Sequence, residues 1–372
     1  MSDTSKWNDE FLNKMRTIGD PFADNIVAEL FDSTAACVAW EQMMRLDTTP
    51  PNRADLPAPL RKYLSETDAN LESASPDTVG GRWIYENYRA EMFFILAHYS
   101  LPASYAAEKG VKVLHRTFLI EGRPDVRLSQ TARIIEDILS RNGIRPGAPG
   151  MGSIQKVRLI HAAIRLLILR DKRDEWQSAE LGVPINQEDL AGTLIAFSYL
   201  ILDGFRKLGI TVPVNHQESF IKTWGVIGRL MGIQDDLIPT TVKEAKLLAK
   251  LIEKRQVHDS KEGKCAVQAL LTMLQKQVGV GFEGWPAASM RFFLPRKVAV
   301  GFGIPFYWPE EFTLYLVRFF DRLVKRDNPL RLPFVKWFGN DLINQFVDAH
   351  IEPYKLPGTL MGRPGQFRKL DC

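Results

Sequence analysis

The sequence predicts an all-α protein, on three observations. Apolar residues recur at i, i+3, i+4 and i+7 through most of the chain, the period of a helix with one buried face. No run alternates apolar and polar residues with period two, so no strand is expected. Proline, glycine and capping residues fall mostly between the periodic segments, where helices start and stop.

In chain order, helices are expected over 5–18 and 23–45, the second with Ile26, Leu30, Ala36, Trp40 and Met44 on a broad apolar stripe. Residues 46–60 carry Pro50, Pro51, Pro57 and Pro59 and read as a surface loop. Residues 61–82 are polar and read as a short helix followed by more loop. A helix over Trp83–Tyr99 presents Met92, Phe93, Leu96 and Ala97 to the core. Ser100 is placed to cap the next helix, with Pro102 in its first turn; that helix is expected to run to about Phe118 with Gly110 in its middle. Asp125–Arg141 follows, stopped by Asn142 and Gly143.

The next helix, Gly152–Trp176, opens at Ser153 after a stretch, Arg145–Gly150, read as non-helical. Asn186, with Asp189 three residues on, caps a helix over Gln187–Leu208; Asn215 and Glu218 repeat the pattern for Asn215–Met231. Thr241–Gln256 is amphipathic, with its four lysines assigned to the wet side. Helices over 264–278, 286–299, 309–326 and 333–349 complete the chain, split by proline and glycine.

Composition narrows the function class. A net charge of +4 spread over 372 residues gives nucleic-acid binding no support. The three cysteines, Cys37, Cys265 and Cys372, are far apart and form no C-x-x-C, so neither a disulfide framework nor a thiolate metal site is expected. No uninterrupted apolar window of about 18 residues predicts a membrane span. The first fifteen residues lack a basic n-region and an apolar h-region. A cytoplasmic protein is the expectation.

The helix Gly152–Trp176 carries the residue of most interest. Ile154, Val157, His161, Ile164 and Ile168 share a face, so a single imidazole interrupts an apolar stripe. Two explanations compete. A core histidine would bond a backbone carbonyl; an axial ligand would present a neutral imidazole to a haem iron. Elsewhere there is no P-loop, no G-x-G-x-x-G after a strand, no H-E-x-x-H and no G-x-S-x-G. Asp235-Asp236 lacks a second acidic motif and reads as a solvated helix end.

What remains is a set of polar residues in apolar surroundings: Arg127, Gln130, Thr131, His161, Arg165 and Thr193. Each has a plain alternative. Arg127 fits a surface position, the threonines fit bonds to their own helix carbonyls, and Arg165 fits a carboxylate partner or, were haem present, a propionate.

Five blocks carry a resemblance: Leu101-Pro102-Ala103-Ser104-Tyr105, Arg127-Leu128-Ser129-Gln130-Thr131-Ala132, Val157-Arg158-Leu159-Ile160-His161-Ala162-Ala163-Ile164-Arg165, Pro184-Ile185-Asn186-Gln187-Glu188-Asp189-Leu190 and Trp224-Gly225-Val226-Ile227-Gly228-Arg229. In order and spacing they resemble the latex-clearing-protein and rubber-oxygenase family, with the related membrane-associated oxygenase of mycophenolic acid biosynthesis, over roughly residues 20–275. The resemblance implies a globin-like helical core around haem b and O2-dependent cleavage of an isoprenoid C=C bond. It makes His161 the axial ligand of the iron, Arg127 and Thr131 distal residues, and Thr193 a threonine beside the pocket.

Three departures from the family pattern follow. Where the latex-clearing proteins hold a lysine able to ligate iron, this chain has Gln130, a neutral amide and a poor ligand, so the sixth site is expected to be open. The family's glutamate base has its counterpart candidate in Glu108, in the right helix but off the aligned spacing. The latex enzymes are exported, whereas this chain shows no export signal, so a small hydrophobic alkene is expected rather than high-molecular-weight rubber. The alternatives are a haem peroxygenase or peroxidase-like enzyme, a non-enzymatic haem or gas-binding protein, and a haem-free helical interaction protein. In the expected organisation, N-terminal helices and a proline-rich loop (residues 1–80) pack on a haem-binding oxygenase core (81–275). A C-terminal helical extension (276–372) completes one compact domain.

Overall fold

A computed structural model describes residues 6–33, 41, 55–73, 79–117, 124–323 and 333–347. The helices, numbered in chain order, begin with α1 Asp9–Arg16, α2 Pro21–Ser33, α3 Ala58–Ser73 and α4 Val79–Ile95. After a π-helical turn, Leu96–Ser100, come α5 Leu101–Tyr105, α6 Glu108–Arg116, α7 Pro124–Leu139, α8 Pro149–Arg170 and α9 Ser178–Leu181. Then follow α10 Gln187–Phe197, α11 Tyr199–Lys207, α12 Val214–Leu230, α13 Val242–Gln256 and α14 Lys261–Gln277. The last are α15 Gly284–Phe293, α16 Arg296–Gly301, α17 Trp308–Leu323 and α18 Pro333–Phe346. The described residues form no strand; an isolated antiparallel bridge joins Ala107 to Val257. The all-α expectation holds.

Several boundaries differ from the sequence expectation, each for a local reason. Ser100 is not a cap: its backbone is helical (φ −62°, ψ −47°), and the π-turn carries the helix through Pro102. The break falls at Ala106 and Ala107 instead, so Gly110 lies in the first turn of α6. Ser153 is not the cap of α8 either. The helix starts at Pro149, whose fixed φ and missing N–H suit a first turn, and the Ser153 hydroxyl bonds Asp137 Oδ2 at 3.0 Å. The same helix ends at Arg170, short of Trp176.

Helix 187–208 is two helices, interrupted at Ser198 (φ −111°, ψ −81°). Asn215 lies inside α12, behind Pro213, and Glu218 accepts from the Val242 N–H (3.0 Å) rather than closing a box. The cap Asn186 is as expected, and Thr241 caps α13 in the same way, each accepting a backbone N–H three residues on. The helix expected over 23–45 is described as far as Ser33, and Ala36, Trp40 and Met44 lie outside the described residues. Cys265 is disulfide-bonded, which corrects the expectation of no disulfide.

The main apolar cluster draws on residues from Trp7 to Val347, with Phe94, Phe205, Phe220, Phe293, Phe302 and Phe338 fully buried. A second cluster joins α2 and α3 to α8 through Ile26, Leu30, Leu60, Tyr63, Leu159 and Ala162. Each such large aliphatic side chain contributes about 2 kcal/mol by leaving water.

Helix α8 is held by more than apolar contact. Arg158 makes a bidentate pair with Asp20 (2.6 and 2.9 Å), and Arg165 pairs with Asp24 while donating to the carbonyls of Pro184 and Ile185 (both 2.9 Å). The two clamps stand three residues before and four residues after His161 and tie its helix to the segment opening α2. Among the described residues no helix is long and apolar enough to cross a membrane.

Candidate active site

Helices α5 to α8, α10, α11, α13 and α16 enclose a cavity of about 1480 Å³. It is larger than the roughly 300–1,000 Å³ of an ordinary small-molecule cleft. Its apolar walls include Val113, Leu114, Ile134, Val157, Ile160 and Ile164. His161 is on this wall, so the tertiary structure places the predicted imidazole in a cavity rather than in packed core.

Its ring meets no carbonyl. Nδ1 is buried without a hydrogen-bond partner. Burial, reinforced by the positive charges of Arg165 and Arg127, pushes its pKa down to about 3. The ring is therefore neutral across the physiological range and keeps a lone pair for a ligand.

Arg127, Gln130, Thr131 and Thr193 line the same cavity. Arg127 and Gln130 reach the cavity from α7, and Arg127 makes no ion pair or hydrogen bond among the described residues. The Thr131 hydroxyl donates to the Arg127 carbonyl (2.9 Å) and the Thr193 hydroxyl to the Asp189 carbonyl (2.9 Å), which leaves each oxygen able to accept. Thr193 is exposed to the cavity space.

Two predicted residues are not brought here. Arg165 points to Asp24 and two carbonyls, so its carboxylate partner is a side chain of this protein. Glu108 does not line the cavity; α6 offers Gly110, Val113 and Leu114 instead, because Glu108 lies some 200° around the helix from Gly110.

Several polar lining residues were not singled out by sequence. Glu188 and Asp189 meet Arg16 (3.3 and 3.0 Å), and Glu188 also binds Arg255 (2.8 Å) and Gln256 (3.0 Å). Burial raises the Asp189 carboxyl against the pull of Arg16. Further along, the Tyr99 hydroxyl donates to Asp203 Oδ2 (3.0 Å). Lys207 Nζ donates to the Tyr99 hydroxyl and to the Phe293 carbonyl (2.8 Å each) and pairs with Asp203 (3.0 Å). Burial lowers the Lys207 ammonium pKa. At Asp203 burial is outweighed by Lys207 and Arg206, which hold the carboxyl down. The only sequence signal for this group is the Asp203/Lys207 spacing of four; Tyr99 lies 104 residues from Asp203.

The fold and site define an all-α protein around a large apolar cavity, with a neutral histidine and an arginine unpaired among the described residues on its wall. Residues 93–326 match the family described as "ER-bound oxygenase mpaB/B'/Rubber oxygenase, catalytic domain", and the chain belongs to that family. A rubber oxygenase of Streptomyces sp. (strain K30) is 22% identical over 259 residues, which span 68% of this chain and 63% of that protein. The structure of latex clearing protein in its closed state matches with a TM-score of 0.72 at 20% identity, covering 91% of this chain and 92% of that one. At that identity the likeness establishes the fold.

Proposed function

We propose that this chain is a haem-b-dependent oxygenase that uses O2 on a C=C bond of a hydrophobic, isoprenoid-like substrate. The observation that carries it is the His161 imidazole, neutral, unpartnered at Nδ1 and on the wall of an apolar cavity, in a chain of this family. Two findings agree with haem as the group held there. The cavity is large enough for a macrocycle with a second molecule beside it, and Arg127 on its wall is a cation suited to a propionate. When bound, haem supplies O2 activation toward an alkene.

The chain's own residues do the rest. His161 offers its ring nitrogen without first losing a proton, so binding needs no deprotonation step near neutral pH. The Arg127 guanidinium, free of any carboxylate among the described residues, stabilises negative charge that develops in the cavity. Gln130 brings no charge and is a poor metal ligand, so it would not compete with O2 for a bound haem. The apolar walls exclude water and orient the alkene. The Streptomyces relative is named a rubber oxygenase; a polyisoprene-like chain is the substrate class carried over.

The test is the absorbance spectrum and pyridine haemochrome of haem-supplied wild type, His161→Ala and Arg127→Ala, followed by alkene turnover under O2. About one haem per chain in wild type and Arg127→Ala, lost in His161→Ala, with carbonyl products slowed at least tenfold in Arg127→Ala, is expected. A colourless wild type refutes the proposal. Turnover only with added peroxide would make the chain a peroxygenase instead.

A further inference from the structure

The cavity has a second end. Gly192, Thr193 and Ala196 of α10 and Tyr199, Leu200, Asp203 and Arg206 of α11 line its wall on either side of the break at Ser198. The α11 part of the wall is joined by Glu253 and by the exposed Lys246 and Lys250 of α13, which mark its solvent-facing rim.

The charges at that end do not balance. Arg206, Lys207, Lys246 and Lys250 stand against Asp203 and Glu253. Lys207 is fully committed, its three protons going to Tyr99, Phe293 and Asp203, and Arg206 shares Asp203 (2.6 Å). Lys246 and Lys250 are exposed, one helical turn apart on the face of α13 that borders the cavity, and neither pairs with a carboxylate among the described residues. A neutral hydrocarbon chain gains nothing from two free ammonium groups at the mouth of its tunnel. A chain ending in an anion does.

We infer that the cavity takes an amphiphile: a long apolar chain carrying an anionic head, carboxylate or phosphate, that Lys246 and Lys250 hold at the rim while the chain extends toward His161. This deepens the oxygenase proposal and rests on it, because it names the class of molecule that the same cavity admits. It also fixes polarity. The head stays at the mouth, so a double bond presented near His161 is an internal or distal one rather than one next to the head.

The experiment uses the full, haem-supplied chain and measures binding of geranylgeranoic acid, geranylgeranyl phosphate and the neutral geranylgeraniol under argon, so that no turnover intervenes. The variants are Lys246→Gln/Lys250→Gln and a control on the same helix, Lys243→Gln/Lys254→Gln, which removes equal charge away from the cavity. The expected result is an about tenfold preference for the anions over the alcohol, weakened by salt, abolished in the first variant and kept in the control. Acid favoured over phosphate, or the reverse, identifies the head. Equal affinity for all three ligands, or equal loss in both variants, overturns the inference and leaves the oxygenase proposal standing. Preferential anion binding with no carbonyl product on admitting O2 keeps the inference and overturns the oxygenase.

Discussion

Replacing Arg158 by methionine tests how the His161 helix is held. The guanidinium is 9% exposed and its partner Asp20 is 6% exposed. Arg158 gives Asp20 two hydrogen bonds, at 2.6 and 2.9 Å, gives the Leu230 carbonyl a third at 3.2 Å, and lies over the Phe22 ring. Methionine fills much of the volume but supplies no proton. Asp20 would then keep only a 3.3 Å contact from the Ala23 N–H, with the Asp24 carboxylate nearby.

Breaking a buried pair at one partner costs about 3–5 kcal/mol, because the remaining charge stays desolvated. Against a total stability of about 5–15 kcal/mol, that is a fifth or more. Adding Asp20→Asn to Arg158→Met removes the stranded charge and should recover a large part of the loss. The exposed pair Arg170–Asp32 is the control, where Arg170→Met should stay within about 0.5 kcal/mol. Urea unfolding followed by circular dichroism measures all four proteins. A loss below about 1 kcal/mol in Arg158→Met, or a double variant no more stable than the single one, would refute the account of α8 as ion-pair anchored.

Two further predictions concern buried groups away from the cavity. His98 is fully buried between Phe94 and Phe338, bonds the Phe94 carbonyl at 2.9 Å, and burial pushes its pKa from 6.5 to about 4. Below pH 6.5 the unfolded chain therefore takes up a proton that the folded chain refuses, so stability falls as pH drops toward 4. His98 accounts for about 2 kcal/mol of loss between pH 7 and 5, and His98→Phe should reduce the slope by that amount in denaturant titrations at the two pH values, while the similar contribution of buried His161 remains. At Gly204 an added Cβ would overlap Ile95 across the contact of α11 with α4. Gly204→Ala should lower thermal stability by about 1–3 kcal/mol, and an unchanged melting temperature would show that the contact yields.

The sequence by itself determined the helices and the one histidine worth following. Helical periodicity is a local property, so most elements lie where the pattern puts them, and the caps Asn186 and Thr241 act through bonds three residues long. The pattern failed where two local signals compete. Ser100 and Pro102 mark a start in sequence, yet a π-turn absorbs them because the neighbouring residues are buried on all sides.

Only the tertiary structure decided which polar residues share a space. Arg165 and Arg127 look alike in sequence, but one is consumed by Asp24 and the other is left free on the cavity wall. Lys246 and Lys250 belong to a face that any amphipathic analysis assigns to water, and they border the cavity because α13 packs beside α10 and α11. A side chain's direction around its helix is set by local geometry. What it faces is set by elements that can lie more than a hundred residues away, and no local pattern carries that information.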